Sequence, residues 1–234
     1  MLVDDTASGD FRGKEGGKDS GVRLLVDANG NGKFEARGEA FDVRKPFNLG
    51  GTTYELSGLE ASGAGAKLVK SSKTVAEIPP PPDHGVGKKI TPFTATTIDG
   101  NKISFPTSFK GKIVMIDFWA TWCGPCMKEM PNLVENYERF HEQGFEVLGI
   151  TLDNENALEK IADVTKQQKM TWQQVYDGQG WKAEIAQLYV INSIPAALLV
   201  DGDTGEILAV SGQLRDNRLR GTLEKALEHK NPKG

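Results

Sequence analysis

The chain has 234 residues, 38% hydrophobic and 26% charged, which is enough for one full core and a smaller second unit. Lysine and arginine total 28 against 32 acidic residues, and the net charge of -4 provides no basic stripe for nucleic acid and no polybasic membrane patch. The longest apolar runs, Ile113–Ala120 and Ile194–Val200, are far shorter than the ~18 residues that span a bilayer. We therefore expect neither nucleic-acid binding nor a membrane span.

The first 21 residues offer little apolar surface. From Ser8 to Gly21 the segment is rich in Gly, Lys and Asp and carries one aromatic residue, Phe11, too little to offset the entropy of ordering. Met1–Asp5 has neither a basic n-region nor an apolar h-region, so these residues are not expected to act as a secretory signal. The composition predicts a disordered or loosely ordered segment over residues 1–21.

Residues 22–77 have the pattern of a small β-rich unit. Short alternating apolar runs, such as Val22 to Val26 and Tyr54 to Leu56, are separated by Asn-Gly and Gly-Gly pairs. This spacing predicts short strands joined by hairpins.

One loop of this unit partly matches a calcium-binding loop. Asp27, Asn29, Asn31 and Gly32 fit positions 1, 3, 5 and 6, but position 12, which should be a glutamate, is Gly38. Glu35 and Glu39 lie nearby at the wrong spacing. An Asn-Gly hairpin turn accounts for the same residues without a metal, and we favour that interpretation.

A proline run marks the domain boundary. Residues 78–83 read Ile-Pro-Pro-Pro-Pro-Asp, and such a run holds an extended polyproline conformation that acts as a semi-rigid spacer. The second domain is therefore expected over residues 84–234.

Strands and helices alternate in this second domain, which predicts an α/β core with helices on both faces of a sheet. A strand over 113–118 leads directly to two cysteines, where a helix should begin and run towards Gly144. The remaining predicted elements are a hairpin over 95–105 turned at Asp99–Asn101, strands over 145–152, 196–200 and 206–211, helices over 156–169 and 183–189, and a final helix carrying Leu219, Leu223 and Leu227.

The two cysteines of the chain, Cys123 and Cys126, lie three residues apart, which rules out a framework of structural disulfides or a four-cysteine zinc site. The spacing places both sulfurs at the first turn of a helix, where free N–H groups and the helix dipole favour a thiolate. We expect an exposed Cys123 to attack a disulfide and Cys126 to resolve the product. A buried cysteine pair or half a metal site is the weaker interpretation, because two thiols without a nearby histidine cannot complete a tetrahedron.

The segment Asp117–Cys126 (DFWATWCGPC) is similar to the active-site segment of thioredoxins. The continuation Met127–Pro131 and the helix over 156–169 resemble the TlpA/ResA branch of bacterial thiol-disulfide reductases, and the resemblance extends over about Gly85 to Glu228. It implies a thioredoxin-like fold with a mixed central sheet, no cofactor, a monomer, protein disulfides as substrates and an upstream thiol as electron donor. It also implies the bacterial periplasm or extracytoplasmic face, with the cytoplasm as the alternative.

The same resemblance implies further site residues. Pro195 after Ile194 would be the cis-proline that faces the cysteines, and Glu129, one helical turn after Cys126, would be the acid that tunes them. Asp117 lies in an apolar strand where an unpaired carboxylate is costly, and we expect desolvation to raise its pKa so that it can accept the Cys126 proton when the mixed disulfide resolves. Glu129 is the alternative carrier of that proton. Thioredoxins have Asp at this position, whereas TlpA-like proteins commonly have Asn. The residues expected to contact substrate are Trp122, Gly124, Pro125 and Ile194.

Three alternatives are weaker. A peroxiredoxin-like thiol peroxidase needs Pro and Thr at spacings that here hold Ile116 and Ala120. A copper-delivering Sco-like role needs three residues between the cysteines and a downstream histidine ligand, whereas His141 and His229 fall on predicted helices. A redox-idle binding module is disfavoured by the complete active segment.

Overall fold

The computed structural model describes residues 1–15, 18–32, 34, 36–80 and 82–230. The chain divides into two compact units, Met1–Asp83 and His84–Gly234. Within the described ranges, no helix has the length and apolar content that crossing a bilayer requires.

The first unit contains two antiparallel three-stranded sheets, ordered β1-β2-β3 and β4-β5-β6. Its elements are β1 (Leu2–Asp4), β2 (Val22–Leu25), the short helix α1 (Ala36–Glu39), β3 (Ala40–Asp42), β4 (Phe47–Leu49), β5 (Thr52–Ser57) and β6 (Lys67–Lys70). The predicted Gly-Gly turn joins β4 to β5 at Gly50 and Gly51, both at positive φ.

The segment expected to be disordered contains strand β1. The Asp4 carboxylate accepts the backbone N–H groups of Thr6 and Gly9, and β1 pairs with β2 through Val3 and Arg23. This order comes from side-chain capping of the backbone and from strand pairing, neither of which requires apolar residues. The prediction of disorder over 1–21 is therefore wrong for this strand.

The Asn-Gly pairs at 29–32 do not form the hairpin turn that we expected. Strands β2 and β3 pair with each other, but residues 26–39 connect them, too many for a two-residue turn. Inside this loop Asp27 accepts the N–H groups of Asn31 and Gly32, while Glu39 accepts those of Ala28 and Asn29. These two carboxylates stabilise the loop by accepting its backbone N–H groups. Glu35 lies outside the described residues.

The start of the predicted spacer packs within the first unit. Gly38, at φ 75°, lies so close to the backbone of Ile78 and Pro80 that a Cβ atom would not fit there. Pro81 lies outside the described residues.

The second unit is built on a five-stranded mixed sheet with the order β11-β10-β9-β12-β13. Strands β9, β10 and β11 are parallel, and β12 and β13 are antiparallel to their neighbours. The unit comprises the hairpin β7 (Phe93–Thr96) and β8 (Lys102–Phe105), β9 (Ile113–Trp119), α2 (Gly124–Phe140), β10 (Phe145–Thr151), α3 (Leu158–Gln167), β11 (Gln173–Val175), α4 (Glu184–Leu188), β12 (Ala196–Asp201), β13 (Ile207–Val210) and α5 (Asp216–Lys230). The α/β thioredoxin-like architecture predicted from the sequence is confirmed.

Strand β9 lies at the centre of this sheet, and all seven of its residues are buried. This explains its continuous apolar sequence, which Asp117 alone interrupts. Because β12 runs antiparallel to β9, with Ala196 opposite Phe118, the start of β12 lies at the sheet edge where β9 ends. That edge carries the cysteines.

Strand β11 was not predicted. Its three residues include Gln173 and Gln174, so it lacks the apolar signal of a strand. Gln174 is nevertheless buried, and its side-chain oxygen accepts the indole N–H of Trp119 at 3.0 Å.

Candidate active site

The two cysteines form a disulfide bond at the N-terminus of α2. Cys123 is the residue that caps the helix, and its sulfur accepts the backbone N–H of Cys126 at 3.2 Å. Pro125 occupies the first turn, where its missing N–H costs no helical hydrogen bond. Pro131 lies inside the same helix.

The exposure of the cysteines differs from the sequence expectation. Cys123 is only 4% exposed and Cys126 is 0% exposed, whereas we expected an exposed Cys123. The residues around the pair are the exposed ones, with Trp122 48% exposed and both Gly124 and Pro125 on the surface. Neighbouring residues cover Cys123, but it remains the more accessible sulfur-bearing residue of the two.

The loop between β9 and α2 is held by Asp153, which sequence reasoning missed. The Asp153 carboxylate accepts the Thr121 N–H at 2.9 Å, the Thr121 hydroxyl at 2.6 Å and the Thr151 hydroxyl at 2.6 Å. Asp153 is buried and lies two residues after the end of β10, the parallel neighbour of β9. An acidic residue after the carboxyl end of β10 could have indicated this contact, because parallel strands end at the same edge of a sheet and the loop before Cys123 follows β9.

Pro195 lies at the same edge as the cysteines. The Ile194–Pro195 peptide bond is cis, and the proline directly precedes β12. Ile194 is half-buried and packs against the hydrophobic core. The cis bond that the family resemblance implied is present.

Asp117 is buried in the middle of β9 and is paired with an arginine that the sequence analysis did not identify. Arg215 Nη2 donates to Asp117 Oδ1 at 3.1 Å, and the two side chains are 11% and 1% exposed. Burial raises the pKa of Asp117, Arg215 opposes that shift, and Glu129 adds to it. The raised pKa agrees with our expectation, but the surroundings are not purely apolar. Arg215 is 98 residues away in sequence, and no motif links it to this site.

Glu129 makes its hydrogen bonds to the first residue of α5 and to a neighbouring side chain of α2. Its Oε1 accepts the backbone N–H of Asp216 at 3.0 Å and a bond from the side-chain amide of Asn132. The structure therefore places this carboxylate on the α2–α5 junction, one helical turn from Cys126.

Two tryptophans form an exposed aromatic pair beside the cysteines. The ring centroids of Trp122 and Trp181 are 5.9 Å apart, and Trp181 is 42% exposed. The sequence analysis named Trp122 but missed Trp181, which lies in a short 3-10 helix, Gly180–Lys182.

Comparison with known proteins agrees with this geometry. Residues 86–209 match the AhpC/TSA family model. The thiol-disulfide oxidoreductase ResA of Bacillus thuringiensis subsp. konkukian is 33% identical over 140 residues, which is 60% of this chain and 78% of ResA. The sporulation thiol-disulfide oxidoreductase A of Bacillus subtilis is 33% identical over 116 residues, 49% of this chain and 67% of that protein.

Among solved structures, the thioredoxin domain of a thiol-disulfide oxidoreductase from Bacteroides vulgatus superposes with a TM-score of 0.53 at 31% identity, and the match covers 61% of this chain and 98% of that domain. The range matched by the family model includes the disulfide-forming helix and the strand that precedes it. The chain belongs to the AhpC/TSA family and, within the thioredoxin-like superfamily, to the ResA-like thiol-disulfide oxidoreductases.

Proposed function

We propose that this protein reduces disulfide bonds in protein substrates by dithiol-disulfide exchange, with Cys123 as the attacking thiolate and Cys126 as the resolving thiol. The observation that carries the proposal is the Cys123–Cys126 disulfide at the N-terminus of α2. It represents the oxidised form that one turnover would leave.

In the first half of the reaction, the Cys123 thiolate attacks one sulfur of the substrate disulfide. A mixed disulfide forms between Cys123 and the substrate, and the other substrate sulfur leaves as a thiolate. The Cys126 N–H that reaches the Cys123 sulfur and the positive end of the 17-residue helix α2 both favour the thiolate. Of the two residues, Cys123 is the one with any exposure, which supports its role as nucleophile.

In the second half, the Cys126 thiol gives its proton to the Asp117 carboxylate and attacks the Cys123 sulfur. The second substrate sulfur leaves as a thiolate with the bonding electron pair, and the Cys123–Cys126 disulfide forms. The substrate gains two electrons and leaves as two thiolates, which take up the proton that Asp117 passes to solvent and a second proton from water. An upstream thiol donor must then return two electrons to this disulfide.

The substrate side of the site is formed by the exposed residues Trp122, Gly124 and Pro125 together with Ile194 and Pro195. These residues surround or face the end of β9, and an aromatic surface beside the sulfurs suits a polypeptide better than a small thiol. Ile116 and Ala120 stand where a peroxiredoxin would need Pro and Thr, which favours disulfide reduction over peroxide reduction.

The proposal is tested by trapping the mixed disulfide. Cys126→Ser should accumulate a covalent complex with a disulfide-containing protein, because the attacking thiol remains while the resolving thiol is absent. Cys123→Ser is the matched control and should trap nothing on a non-reducing gel. Equal trapping by both variants would show that the roles are misassigned, and no exchange by the unsubstituted protein would refute the function.

We further propose that the protein acts as a monomer at the bacterial extracytoplasmic face. Exchange with protein disulfides suits a compartment in which such disulfides form. Cell fractionation followed by alkylation of the two thiols tests the compartment, and sedimentation tests the monomer.

A further inference from the structure

The Asp117–Arg215 pair is a buried ion pair that is only partly satisfied. Arg215 Nη2 donates a hydrogen bond to Asp117 Oδ1. Among the described residues, Asp117 Oδ2 and Arg215 Nε and Nη1 have no hydrogen-bond partner. Burial of two charges costs several kcal/mol per ion unless their remaining donors and acceptors are satisfied, so such a pair is a poor source of stability. Its place in the strand that leads to the cysteines favours a functional reason.

Two side chains of α2 hold the backbone that carries Arg215. Glu129 accepts the Asp216 N–H at 3.0 Å, and the Asn132 side-chain amide donates to the Asp216 carbonyl at 3.1 Å. Asp216 has a φ of 52°, a left-handed conformation that costs energy in a residue other than glycine. The clamp from Glu129 and Asn132 offsets this cost and fixes the residue next to Arg215.

Few charged groups act on Asp117. Its register neighbours in the sheet are Gly149 on β10 and Ala197 on β12, neither of which titrates. Helix α2 contributes Glu129, which raises the Asp117 pKa, while the segment before α5 contributes Arg215, which lowers that pKa. The protonation of Asp117 therefore depends on the balance between Arg215, Glu129 and burial.

We propose that Arg215 is a positioning residue for the resolving step, acting through Asp117. This inference rests on the proposed function. Arg215 holds the carboxylate by Oδ1, opposes the rise in its pKa that burial causes and leaves Oδ2 without a partner among the described residues, so we assign Oδ2 as the acceptor for the Cys126 proton. The role of Glu129 follows from the same geometry: it fixes Arg215 through Asp216 as well as contributing its own charge.

The test measures the two half-reactions separately by stopped-flow, as single turnovers with a disulfide-containing protein across a range of pH. Arg215→Met should slow resolution about ten- to thirtyfold near neutral pH, at the low end of general-base effects. Because the charge that lowers the Asp117 pKa is lost, the pH midpoint of resolution should move upward. Arg215→Lys, which keeps the charge, should recover part of the rate. The control is Arg220→Met, since Arg220 is an exposed arginine of α5 paired with Glu224.

A double-mutant cycle separates this role from a structural one. In an Asp117→Asn background, Arg215→Met should slow resolution by no more than about twofold, because its route through the carboxylate is already lost. If Arg215→Met has its full effect in that background, or if it leaves the pH midpoint unmoved, the inference is wrong. Should Arg215→Met fail to fold, Arg215→Lys is measured alone and in the Asp117→Asn background. Slower resolution that disappears in that background supports the proposal, and an unchanged rate or the same slowing in both backgrounds contradicts it.

Glu129 gives an independent readout. Glu129→Gln keeps an oxygen for the Asp216 N–H but removes the charge that raises the Asp117 pKa, so the midpoint should move to lower pH. Glu129→Ala removes the clamp as well and should slow resolution. Equal effects of the two variants would contradict the clamp. If Cys123 of the unsubstituted protein does not attack the substrate disulfide at all, the proposed function is overturned. A failure of the proposed function can therefore be told apart from a failure of the role proposed for Arg215.

Discussion

Asp153→Ala should loosen the loop that carries Cys123. The carboxylate accepts three hydrogen bonds between 2.6 and 2.9 Å, two of them from Thr121. A hydrogen bond to a charged group contributes about 1.5–3 kcal/mol, but the contributions are not additive, and removing a buried carboxylate also relieves its desolvation. We expect a net loss of about 3 kcal/mol, which for a unit of this size lowers Tm by about 6–12 °C.

The assay is a thermal melt followed by circular dichroism, with two controls. Thr121→Val removes one hydroxyl bond to the carboxylate and keeps the backbone bond, so it should cost about 1.5 kcal/mol, the low end for a bond to a charged group. Asp163→Ala, at an exposed position of α3, should stay within about 0.5 kcal/mol. At 25 °C, where Asp153→Ala remains folded, attack by Cys123 should slow about tenfold, less than the ~10² that a 1 Å misplacement can cost. A Tm within about 2 °C of the unsubstituted protein would refute the anchoring role.

Two further predictions concern the domains and the surface. Deletion of residues 1–83 should leave a cooperative melt and reductase activity within about threefold, because a thioredoxin-like core can fold alone; loss of folding would show that the first unit completes the core. Trp181→Ala should raise KM for a protein disulfide about fivefold while leaving a small-molecule disulfide little affected, because truncation of an aromatic anchor weakens polypeptide binding; equal losses on both substrates would argue against a docking role.

The parts of the site that the sequence predicted are encoded locally. The spacing of Cys123 and Cys126, the strand before them and the helix after them form one continuous segment, and each has its own pattern. The order of strands and helices in the second unit followed from the same periodicities. The cis bond before Pro195 needed the family resemblance, since an Ile-Pro pair alone does not determine its isomer.

The parts that the sequence did not predict depend on contacts between distant residues. Strand β11 has a polar sequence and is held by pairing with β10, while β1 is ordered by Asp4 and by pairing with β2. Arg215 reaches Asp117 across 98 residues because α5 packs beside α2. A single sequence carries no pattern for such contacts, and the exposure of Cys123 likewise depends on what packs around it.

Three carboxylates of the site differ in which of their oxygens already accept hydrogen bonds. Both oxygens of Asp153 accept hydrogen bonds, two of the three from the loop before Cys123, which makes it an anchor. Glu129 accepts the backbone N–H of Asp216 through Oε1, so it links α2 to α5. Asp117 has one oxygen held by Arg215 and another with no partner among the described residues. Burial raises the pKa of Asp117, and a raised pKa suits a carboxylate that has to accept a proton. The hydrogen-bond partners of each carboxylate, rather than its distance along the chain from the cysteines, therefore support the proposal that Asp117 is the base.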